Sequence, residues 1–370
     1  MAGNAAERSS SPRTGALASE VPALTQPDDA KQRQRKLRLE DIAKQAGVSI
    51  STVSRALNGG ARVNADTRQL ILGLAENARY NTPGRRRSRA MPRPGAAPLK
   101  VVMAPSNELP TEPINPFSLG LLGGIAKAMR ERGLDFSVSH SVPADARSFN
   151  ELLESNGSEV MIVLGQQQLH PMLNQLARDG FPFVVWGAEL EDQSYCCVGS
   201  DNLRGGQRAT EHLLRLGRRR IAFLGGLQTM ELSQRHQGYL AALERASLKP
   251  IPDLHLRSSL RPDVAAEAVD TLLQRGTALD GIVAASDMLA IGAMRSLAKH
   301  GLRVPDDVAV VGYDDIEISA YTHPSLTTLR QDPVKAGRLL VAKALLAHEG
   351  KKPHSERLPV ELIVRESCGA

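Results

Sequence analysis

The sequence predicts an α/β protein in which a small N-terminal three-helix unit precedes a larger core of doubly wound parallel sheets. Residues 37–82 carry short helical patterns of apolar residues that glycines interrupt. From residue 99 onward, continuous apolar runs such as EVMIVLG and DVAVVGYDD alternate with amphipathic stretches, a pattern typical of parallel sheets covered by helices on both faces. Because residues 99–370 exceed what one such sheet usually needs, we expect two lobes with a ligand cleft near the carboxyl ends of the strands.

Composition limits the class of protein. The chain has 370 residues, enough for two or three domains, and 42% of them are hydrophobic. Cys196, Cys197 and Cys368 show neither a disulfide framework nor metal-ligand spacing. No apolar run approaches the roughly 18 residues of a membrane span, and the N-terminus lacks a cationic start followed by an apolar core. We therefore expect a cytoplasmic protein without a metal or cofactor. Residues 1–36, rich in Ser, Ala, Pro and charge, are predicted to form a disordered tail.

Charge is unevenly distributed along the chain. Residues 1–100 carry 18 Lys and Arg against 8 Asp and Glu, whereas residues 101–370 carry 28 against 32. Such asymmetry favours a small module that binds a polyanion, attached to a larger module that does not. A solvated basic tail is the alternative that charge patterning alone leaves open.

Three predicted helices make up residues 37–82. The first ends at Gly47 and carries an apolar stripe at i, i+3, i+4 and i+7: Leu39, Ile42, Ala43 and Ala46. Ser49 is a good N-cap for a second helix over residues 50–57, and Asn64 can cap a third. The third helix is expected to turn these apolar residues inward: Leu70, Ile71, Leu74 and Ala78. Short helices with a tight glycine turn between the first two form a helix-turn-helix unit.

The second helix, ISTVSRAL, has two chemically different faces. Its inward face is apolar: Val53, Ala56 and Leu57. Its opposite face is small and mostly polar: Ile50, Ser51, Ser54 and Arg55. A helix in a major groove about 12 Å wide needs short hydroxyl side chains near the phosphates and one longer side chain that reaches a base edge. Arg55 is that longer side chain. A helical hairpin whose surface is polar by chance is the alternative interpretation.

These residues carry a resemblance to a known family. The run LRLEDIAKQAGVSISTVSRALNGGARVNADTRQLILGLAENARY resembles, almost residue for residue, the headpiece of the LacI/GalR (lactose-repressor) family of bacterial transcription regulators. The resemblance implies that three residues of the helix that Ser49 caps contact bases: Ile50, Ser51 and Arg55. It further implies that the following residues contact phosphates or position the helix: Arg38, Thr52, Ser54, Asn58, Thr67 and Arg68.

Residues 83–98, PGRRRSRAMPRPGAAP, form a linker rich in Arg, Pro and Gly. In the resembled family this segment forms, on operator DNA, a hinge helix that inserts a leucine into the minor groove. Here no leucine occurs between Leu74 and Leu99, and the leucine position falls on Arg89 or Ala90. Arginines such as Arg87 and Arg89 suit a narrow minor groove electrostatically. A flexible basic tether that touches only phosphates is the alternative.

The core resembles the same family in four segments: NPFSLGLLGGI, VGSDNLRGGQRATEHLLRLGRRRIAFLGG, ASDMLAIGAMRSLAKHGLRVPDDVAVVGYDD and HPSLTTLRQD. The resemblance implies the periplasmic-binding-protein fold, in which the chain crosses between two lobes three times. We expect those crossings near residues 195–198, 328–331 and 350–358. The expected first lobe comprises about 99–196 and 331–352, and the expected second lobe about 197–329 and 356–367.

The resemblance also implies effector-binding residues in the cleft. Arg235 lies where the family places an arginine that binds effector hydroxyls or a carboxylate, and Asp314 lies where an aspartate accepts from them. Arginine and aspartate together suit the donors and acceptors of a polyol, although a plain salt bridge across the cleft is the alternative. Phe117 lies where an aromatic stacks on a sugar or base, and Gln331 lies at a crossing.

Three positions depart from the family pattern. Ser286, in ASD, replaces the more usual asparagine, and Trp186-Gly187 occupies a position where some members carry Leu-Asp. Leu260 falls where others have an aromatic residue. Trp186 is the only tryptophan, and a core position at a strand end is as consistent with it as a sugar-stacking platform.

An enzyme and an exported solute-binding protein are the alternative classes. The chain contains no G-x-G-x-x-G, G-x-x-x-x-G-K-[ST], G-x-S-x-G or H-E-x-x-H motif, and its nine histidines are scattered. The DNA-reading helix and the missing signal peptide disfavour an exported protein. The sequence therefore predicts a transcription regulator, specifically a repressor, that binds a palindromic operator as a homodimer. A small-molecule effector, a sugar or sugar derivative, is expected to control it.

Overall fold

The computed structural model describes residues 39–57, 63–77, 99–103, 115–141, 143, 145–154, 157–166 and 169–370. The chain divides into two compact units, Met1–Arg87 and Ser88–Ala370. The expected disordered tail at residues 1–36 and the arginine-rich linker at residues 83–98 lie outside the described residues.

The N-terminal unit contains the three predicted helices, α1 (Leu39–Ala46), α2 (Ile50–Leu57) and α3 (Ala65–Asn77). Gly47, at φ +66°, follows α1 in the left-handed conformation that glycine adopts without a steric penalty. The backbone N–H of Thr52 donates to Ser49 Oγ at 3.2 Å, as expected for an N-cap. Asn64 caps α3 in the same way, since its Oδ1 accepts from the N–H of Asp66 at 3.1 Å.

A small apolar core holds these helices together, and its buried members are Ile42, Ala43, Val53, Ala56 and Ile71. The prediction that Leu70 faces inward is wrong, because its side chain is 52% exposed. Successive residues of an α-helix point about 100° apart, so Ile71 in the core turns Leu70 toward solvent. Leu74 is partly buried against the core, and Ala78 lies outside the described residues.

The core unit alternates strands and helices. In chain order its strands are β1 (Leu99–Met103), β2 (Phe136–Ser139), β3 (Val160–Leu164), β4 (Phe183–Trp186), β5 (Cys197–Ser200), β6 (Ile221–Leu224), β7 (His255–Leu256), β8 (Gly281–Ala284), β9 (Ala309–Asp314), β10 (Thr327–Arg330), β11 (Glu356–Leu358) and β12 (Glu361–Ile363). Its α-helices are α4 (Pro116–Arg130), α5 (Ala146–Glu154), α6 (His170–Arg178), α7 (Asn202–Arg215), α8 (Met230–Arg245), α9 (Pro262–Gln274), α10 (Asp287–Lys299) and α11 (Pro333–His348).

The strands form two six-stranded sheets, one in each lobe. The first has the order β11-β5-β4-β3-β1-β2, and the second has the order β12-β10-β9-β8-β6-β7. All neighbours pair in parallel except β10 and β12, which are antiparallel. Apolar clusters cover both faces of the first sheet, one under α4 and α11 and the other under α5 and α6. The prediction of doubly wound parallel sheets is therefore confirmed.

The chain passes between the sheets at positions that correct the expected lobe boundaries. Strand β5 (Cys197–Ser200) pairs with β4 and β11 in the first sheet, so the second lobe begins after Ser200 and not at residue 197. Strand β11 also belongs to the first sheet, so the last passage lies between Leu358 and Glu361 and not before residue 356. These short strands were missed because CVGS and ERL carry too few apolar residues to stand out from their flanks.

Glycines allow the helices beside the candidate site to pack backbone against backbone. A Cβ on Gly206 of α7 would lie 1.9 Å from the carbonyl oxygen of Arg235 on α8. A Cβ on Gly238 of α8 would lie 2.0 Å from the carbonyl oxygen of Leu203 on α7. These distances exclude any larger side chain without a backbone shift. The close approach therefore fixes α8, which carries Arg235, against the beginning of α7.

Among the described residues, no helix combines the length and apolar character that a bilayer crossing requires.

Candidate functional site

The first candidate site is the exposed face of α2. Ile50 is 49% exposed, and Ser51 and Arg55 are also exposed, whereas Val53 and Ala56 on the other face are buried. The two-faced helix inferred from the sequence is therefore present. An apolar stripe fixes the helix, and an exposed side chain with a permanent positive charge projects from it.

The hydroxyl groups at the start of α2 form a small cluster. Ser49 Oγ lies 2.8 Å from both Ser51 Oγ and Thr52 Oγ1. Ser49 thus both caps the helix and fixes the two hydroxyls that follow it. Thr67 and Arg68 are half-buried on α3. Some predicted DNA contacts lie outside the described residues, namely Arg38, Asn58, Arg87, Arg89 and the side chain of Ser54.

The second candidate site centres on a buried ion pair. Arg235 on α8 and Asp314 at the end of β9 are 7% and 5% exposed. Arg235 Nη1 lies 3.7 Å from Asp314 Oδ1. Both residues belong to elements of the second lobe, so the pair does not bridge the two lobes. Both charges therefore lie within one lobe.

Three further groups hold the Arg235 guanidinium. Its Nε donates to Asn202 Oδ1 at 2.9 Å, and its Nη1 donates to the carbonyl oxygen of Ala285 at 2.6 Å. The guanidinium carbon lies 3.6 Å from the centre of the Tyr313 ring, close enough for a cation–π interaction. Arg235 is thus fixed by α7, by the end of β8 and by β9, and its planar fork is held in one orientation.

Asp314 is buried with incomplete compensation of its charge. Gln331 Nε2 donates to Asp314 Oδ1 at 2.6 Å, and Gln331 directly follows β10, where the chain returns to the first lobe. Burial raises the pKa of Asp314 to about 6, although Arg235 and the Gln331 hydrogen bond act in the opposite direction. A donor that reached this carboxylate would stabilise its charged form.

A second buried carboxylate, Asp287, lies beside this cluster at the start of α10. It accepts from Thr328 Oγ1 at 2.5 Å, from Ser319 Oγ at 2.7 Å and from the N–H of Ile316 at 2.9 Å. Burial raises its pKa to about 7, and repulsion from Asp314 adds to this effect. A Cβ on Gly312 would lie 2.2 Å from Asp287 Oδ1, so a larger residue there would displace the Asp287 carboxylate.

The predicted residue Ser286 is buried immediately before Asp287. Its Oγ accepts from the N–H of Leu289 at 3.4 Å and caps α10. Because the preceding carbonyl, that of Ala285, binds Arg235, Ser286 lies at the edge of the polar cluster. Leu260 is partly buried and packs against the apolar core of the second lobe. This is the position at which the resemblance suggested an aromatic residue in other members.

The two predicted aromatic residues lie in the first lobe. Phe117 on α4 is 8% exposed, and Trp186 at the end of β4 is half-buried. Their ring centres are 5.7 Å apart with an interplanar angle of 39°. Trp186 packs against the apolar core of this lobe and retains a partly exposed face. The structure brings these rings together, and it separately brings together Arg235, Asp314 and Gln331.

Sequence reasoning missed three members of the polar cluster: Asn202, Asp287 and Tyr313. Each is buried, and two of them stand next to a predicted residue, Asp287 beside Ser286 and Tyr313 beside Asp314. A signal was available in ASD and GYDD, since polar residues directly after apolar strands mark the carboxyl edge of a parallel sheet. Asn202 gave no such signal, because in DNLRGG it follows a good N-cap residue.

No group of three or more His, Cys, Asp or Glu residues suited to a metal ion occurs within the part of the chain that the structure describes.

Comparisons with known proteins agree with this organisation. Residues 38–82 match the lacI family of bacterial regulatory proteins, and residues 210–368 match the periplasmic binding protein-like domain. The HTH-type transcriptional regulator CelR of Thermobifida fusca is 33% identical over 344 residues, covering 91% of this chain and 99% of the relative.

Solved structures give the same result. The chain is similar to the transcriptional regulator CelR–cellobiose complex, with 29% identity, a TM-score of 0.63 and coverage of 90% of this chain and 99% of that one. It is also similar to the lac repressor dimer bound to operator and the anti-inducer ONPF, with 25% identity, a TM-score of 0.63 and coverage of 91% and 100%. The chain therefore belongs to the lacI family of bacterial regulatory proteins and is a DNA-binding transcriptional regulator.

Proposed function

We propose that this regulator is a repressor that binds a two-fold symmetric operator as a homodimer, and that a small carbohydrate bound in the core controls it. It acts in the cytoplasm by binding alone, without catalysis, metal or cofactor. The observation that carries the effector proposal is the buried cluster of Arg235, Asp314 and Gln331. The exposed face of α2 carries the DNA-binding proposal.

On the DNA side, α2 enters the major groove. Arg55 reaches a guanine edge, because a guanidinium can donate two hydrogen bonds to O6 and N7. Ser51 and Ile50 contact neighbouring base edges, and Ile50 contributes apolar contact such as that with a thymine methyl. Phosphate contacts position the helix and come from this set: Arg38, Thr52, Ser54, Asn58, Thr67 and Arg68. Arg87 and Arg89 of the linker contact the backbone or a narrow minor groove.

Two copies of the chain bind together. One recognition helix covers only a few base pairs, and two-fold pairing doubles the sequence read, with half-sites about one helical turn apart. The lac repressor structure that this chain resembles is a dimer bound to operator, which supports the same assembly here.

The polar cluster suits a carbohydrate hydroxyl. Asp314 accepts, Arg235 donates, and the amide of Gln331 can do both, so a hydroxyl can bind as donor and acceptor at once. Burial raises the pKa of Asp314, and a sugar hydroxyl that donates to this carboxylate, beside Gln331, stabilises its charged form. The similar CelR structure contains cellobiose, which supports this ligand class.

The other wall of the cleft is aromatic. Trp186 offers a partly exposed ring on which the apolar face of a sugar can stack, Phe117 packs against that ring and completes the aromatic wall, and Ser286 lies beside the polar wall. A ligand held by both lobes favours their closed arrangement and thereby shifts the geometry of the dimer and its affinity for operator.

The test is thermal unfolding of the full chain with cellobiose, a panel of other mono- and disaccharides, and nucleobases. A bound ligand at 100 times its Kd stabilises the chain by about 2.7 kcal/mol, so a sugar should raise the unfolding temperature. The same sugar should alter binding to operators selected from random DNA. Stabilisation by nucleobases alone would refute the sugar assignment, and the absence of any selected palindrome would refute the DNA proposal.

A further inference from the structure

We propose that Asp315, Arg330 and Arg365 are positioning residues that hold the carboxylate of Asp314 toward Arg235 and Gln331. The inference rests on the effector role of Asp314 proposed above. It extends that role to three charged side chains outside the cluster already described.

The turn after β9 has an unusual backbone. Asp314 adopts φ +114° and Asp315 adopts φ +56°, so two successive non-glycine residues lie at positive φ. Side chains of L residues disfavour this region, and such a conformation persists only where the surroundings fix it. Since Asp314 is the first of the two residues, the turn determines the direction of its carboxylate.

Asp315 supplies the fixing contacts. Its Oδ1 accepts from Arg365 Nη2 at 2.6 Å, and its Oδ2 accepts from Arg330 Nε at 2.6 Å. The Asp315 side chain is only 8% exposed and that of Arg365 is 18% exposed. Hydrogen bonds between two charged groups are short and strong, and partial burial protects them from solvent. Both oxygens of Asp315 are therefore held, one by a residue of β10 and the other by a residue of the segment that follows β12.

Arg365 is itself anchored. Arg365 Nη1 donates to the carbonyl oxygen of Leu326 at 2.7 Å, and the N–H of Arg365 donates to Thr327 Oγ1 at 2.8 Å. The backbone N–H of Asp315 donates to Thr328 Oγ1 at 3.3 Å. The turn is thus tied to β10 and to the segment that follows β12.

The register of the sheet couples the contacts of Asp315 to the buried cluster that contains Asp314. Asp314 of β9 is the partner of Arg330 of β10, and Gln331 comes next. Two contacts therefore lie side by side: Asp315 with Arg330, and Asp314 with Gln331. A rotation of the turn that breaks the first contact also moves the second.

A purely stabilising ion-pair cluster is the competing explanation, and it makes a different prediction. Loss of Asp315 would then lower stability but leave Asp314 in place. The decisive variant is Asp315→Asn, because asparagine keeps the size of the side chain and tolerates positive φ but lacks the charge. Asp307→Asn is the matched control, since Asp307 binds Arg303 through two guanidinium nitrogens elsewhere in the same lobe.

The experiment is the crystal structure of the full chain carrying each change, without ligand. In Asp315→Asn we expect Asp314 Oδ1 to leave hydrogen-bond distance of Gln331 Nε2. In Asp307→Asn and in the conservative variant Arg365→Lys, which keeps a cation beside Asp315, we expect it to stay. An Asp314 carboxylate that keeps its place in Asp315→Asn would overturn the proposal.

A second measurement covers variants that do not crystallise. In the wild-type background, Asp314→Asn and Gln331→Leu should shift the unfolding midpoint non-additively, because the two residues are in contact. In the Asp315→Asn background the shifts should become additive, and unchanged non-additivity would contradict the proposal. Neither measurement uses a sugar, so failure of the sugar screen and failure of this inference are distinguishable.

Discussion

Gln331 and Asp314 meet where the chain leaves the second sheet for the first. The amide of Gln331 donates to the Asp314 carboxylate at 2.6 Å, and both side chains are almost fully buried. The contact places a carboxylate with a raised pKa directly against a lobe crossing. Any ligand that binds this carboxylate therefore lies next to the segment that joins the two lobes.

Replacing Asp314 tests the effector role of this contact. Asp314→Asn keeps the shape but loses the charged acceptor, and a hydrogen bond to a charged group contributes about 1.5–3 kcal/mol. We expect about 10- to 100-fold weaker binding of whichever sugar stabilises the wild type, with operator affinity in the absence of sugar unchanged. Isothermal titration and a gel-shift assay measure the two quantities. Asp307→Asn is the control and should change neither.

Replacing Arg55 tests the docking of α2. Arg55→Ala should cost on the order of 1–3 kcal/mol at one position of each half-site and relax base preference there. Lys44 is an exposed cation on α1, and Lys44→Ala should at most weaken binding equally for all sequences. Selection of binding sites from random DNA separates the two effects. An unchanged preference in Arg55→Ala would show that another side chain reads the base.

The buried carboxylates predict a pH dependence of stability. An ordinary aspartate titrates near 3.9, and the pKa of Asp287 in the folded chain is about 7. A raised carboxyl pKa means that the folded state binds the proton more tightly. Its contribution to stability is therefore full below about pH 4 and is lost as pH rises toward 7.

His236 opposes this trend in much of the same pH range. Burial lowers its pKa in the folded chain to about 4, so the unfolded state binds the proton more tightly. Stability therefore rises with pH as the unfolded imidazole loses that proton. The informative quantity is therefore the difference in unfolding temperature between wild type and Asp287→Asn. That difference should change steadily from pH 4 to 7. A constant difference would contradict the raised pKa of Asp287.

The contact between α7 and α8 predicts a size limit at Gly238. Gly238→Ala places a methyl group 2.0 Å from a backbone oxygen, and such overpacking costs about 1–3 kcal/mol. A Cβ on Gly123 of α4 would meet no atom within 4 Å, and Gly123→Ala should be neutral or stabilising by up to about 1 kcal/mol. Thermal unfolding of both variants tests the contrast; equal effects would exclude the close helix contact as the cause.

Much of the fold follows from local patterns in the sequence. The caps Ser49 and Asn64, the glycine turn at Gly47 and the apolar strands each depend on neighbouring residues, and the structure contains them. Leu70 was misplaced because a helix with adjacent apolar residues at 70 and 71 offers two possible inward faces. Only packing against α1 and α2 selects Ile71.

The candidate effector site was less accessible to sequence reasoning. Arg235, Asp314 and Gln331 entered through a family resemblance, and their mutual contacts depend on elements far apart in the chain. Asn202 binds Arg235 because α7 and α8 approach each other closely at glycines. The residues next to Asn202 in the sequence do not indicate this approach. Similarly, β5 and β11 are short strands that pair with each other across more than 150 residues of chain, as the register of Cys197–Ser200 with Glu356–Leu358 shows.

The late strands β11 and β12 have a consequence for synthesis of the protein. Each sheet has an edge strand drawn from residues 356–363, so neither lobe can complete its hydrogen bonding while the ribosome is still translating the preceding segments. Domains made of one continuous segment can fold in turn as they emerge. Here both lobes remain unfinished until the same short stretch appears, and a nascent chain halted near residue 350 would expose the edges of β5 and β10 that β11 and β12 otherwise cover, which favours aggregation.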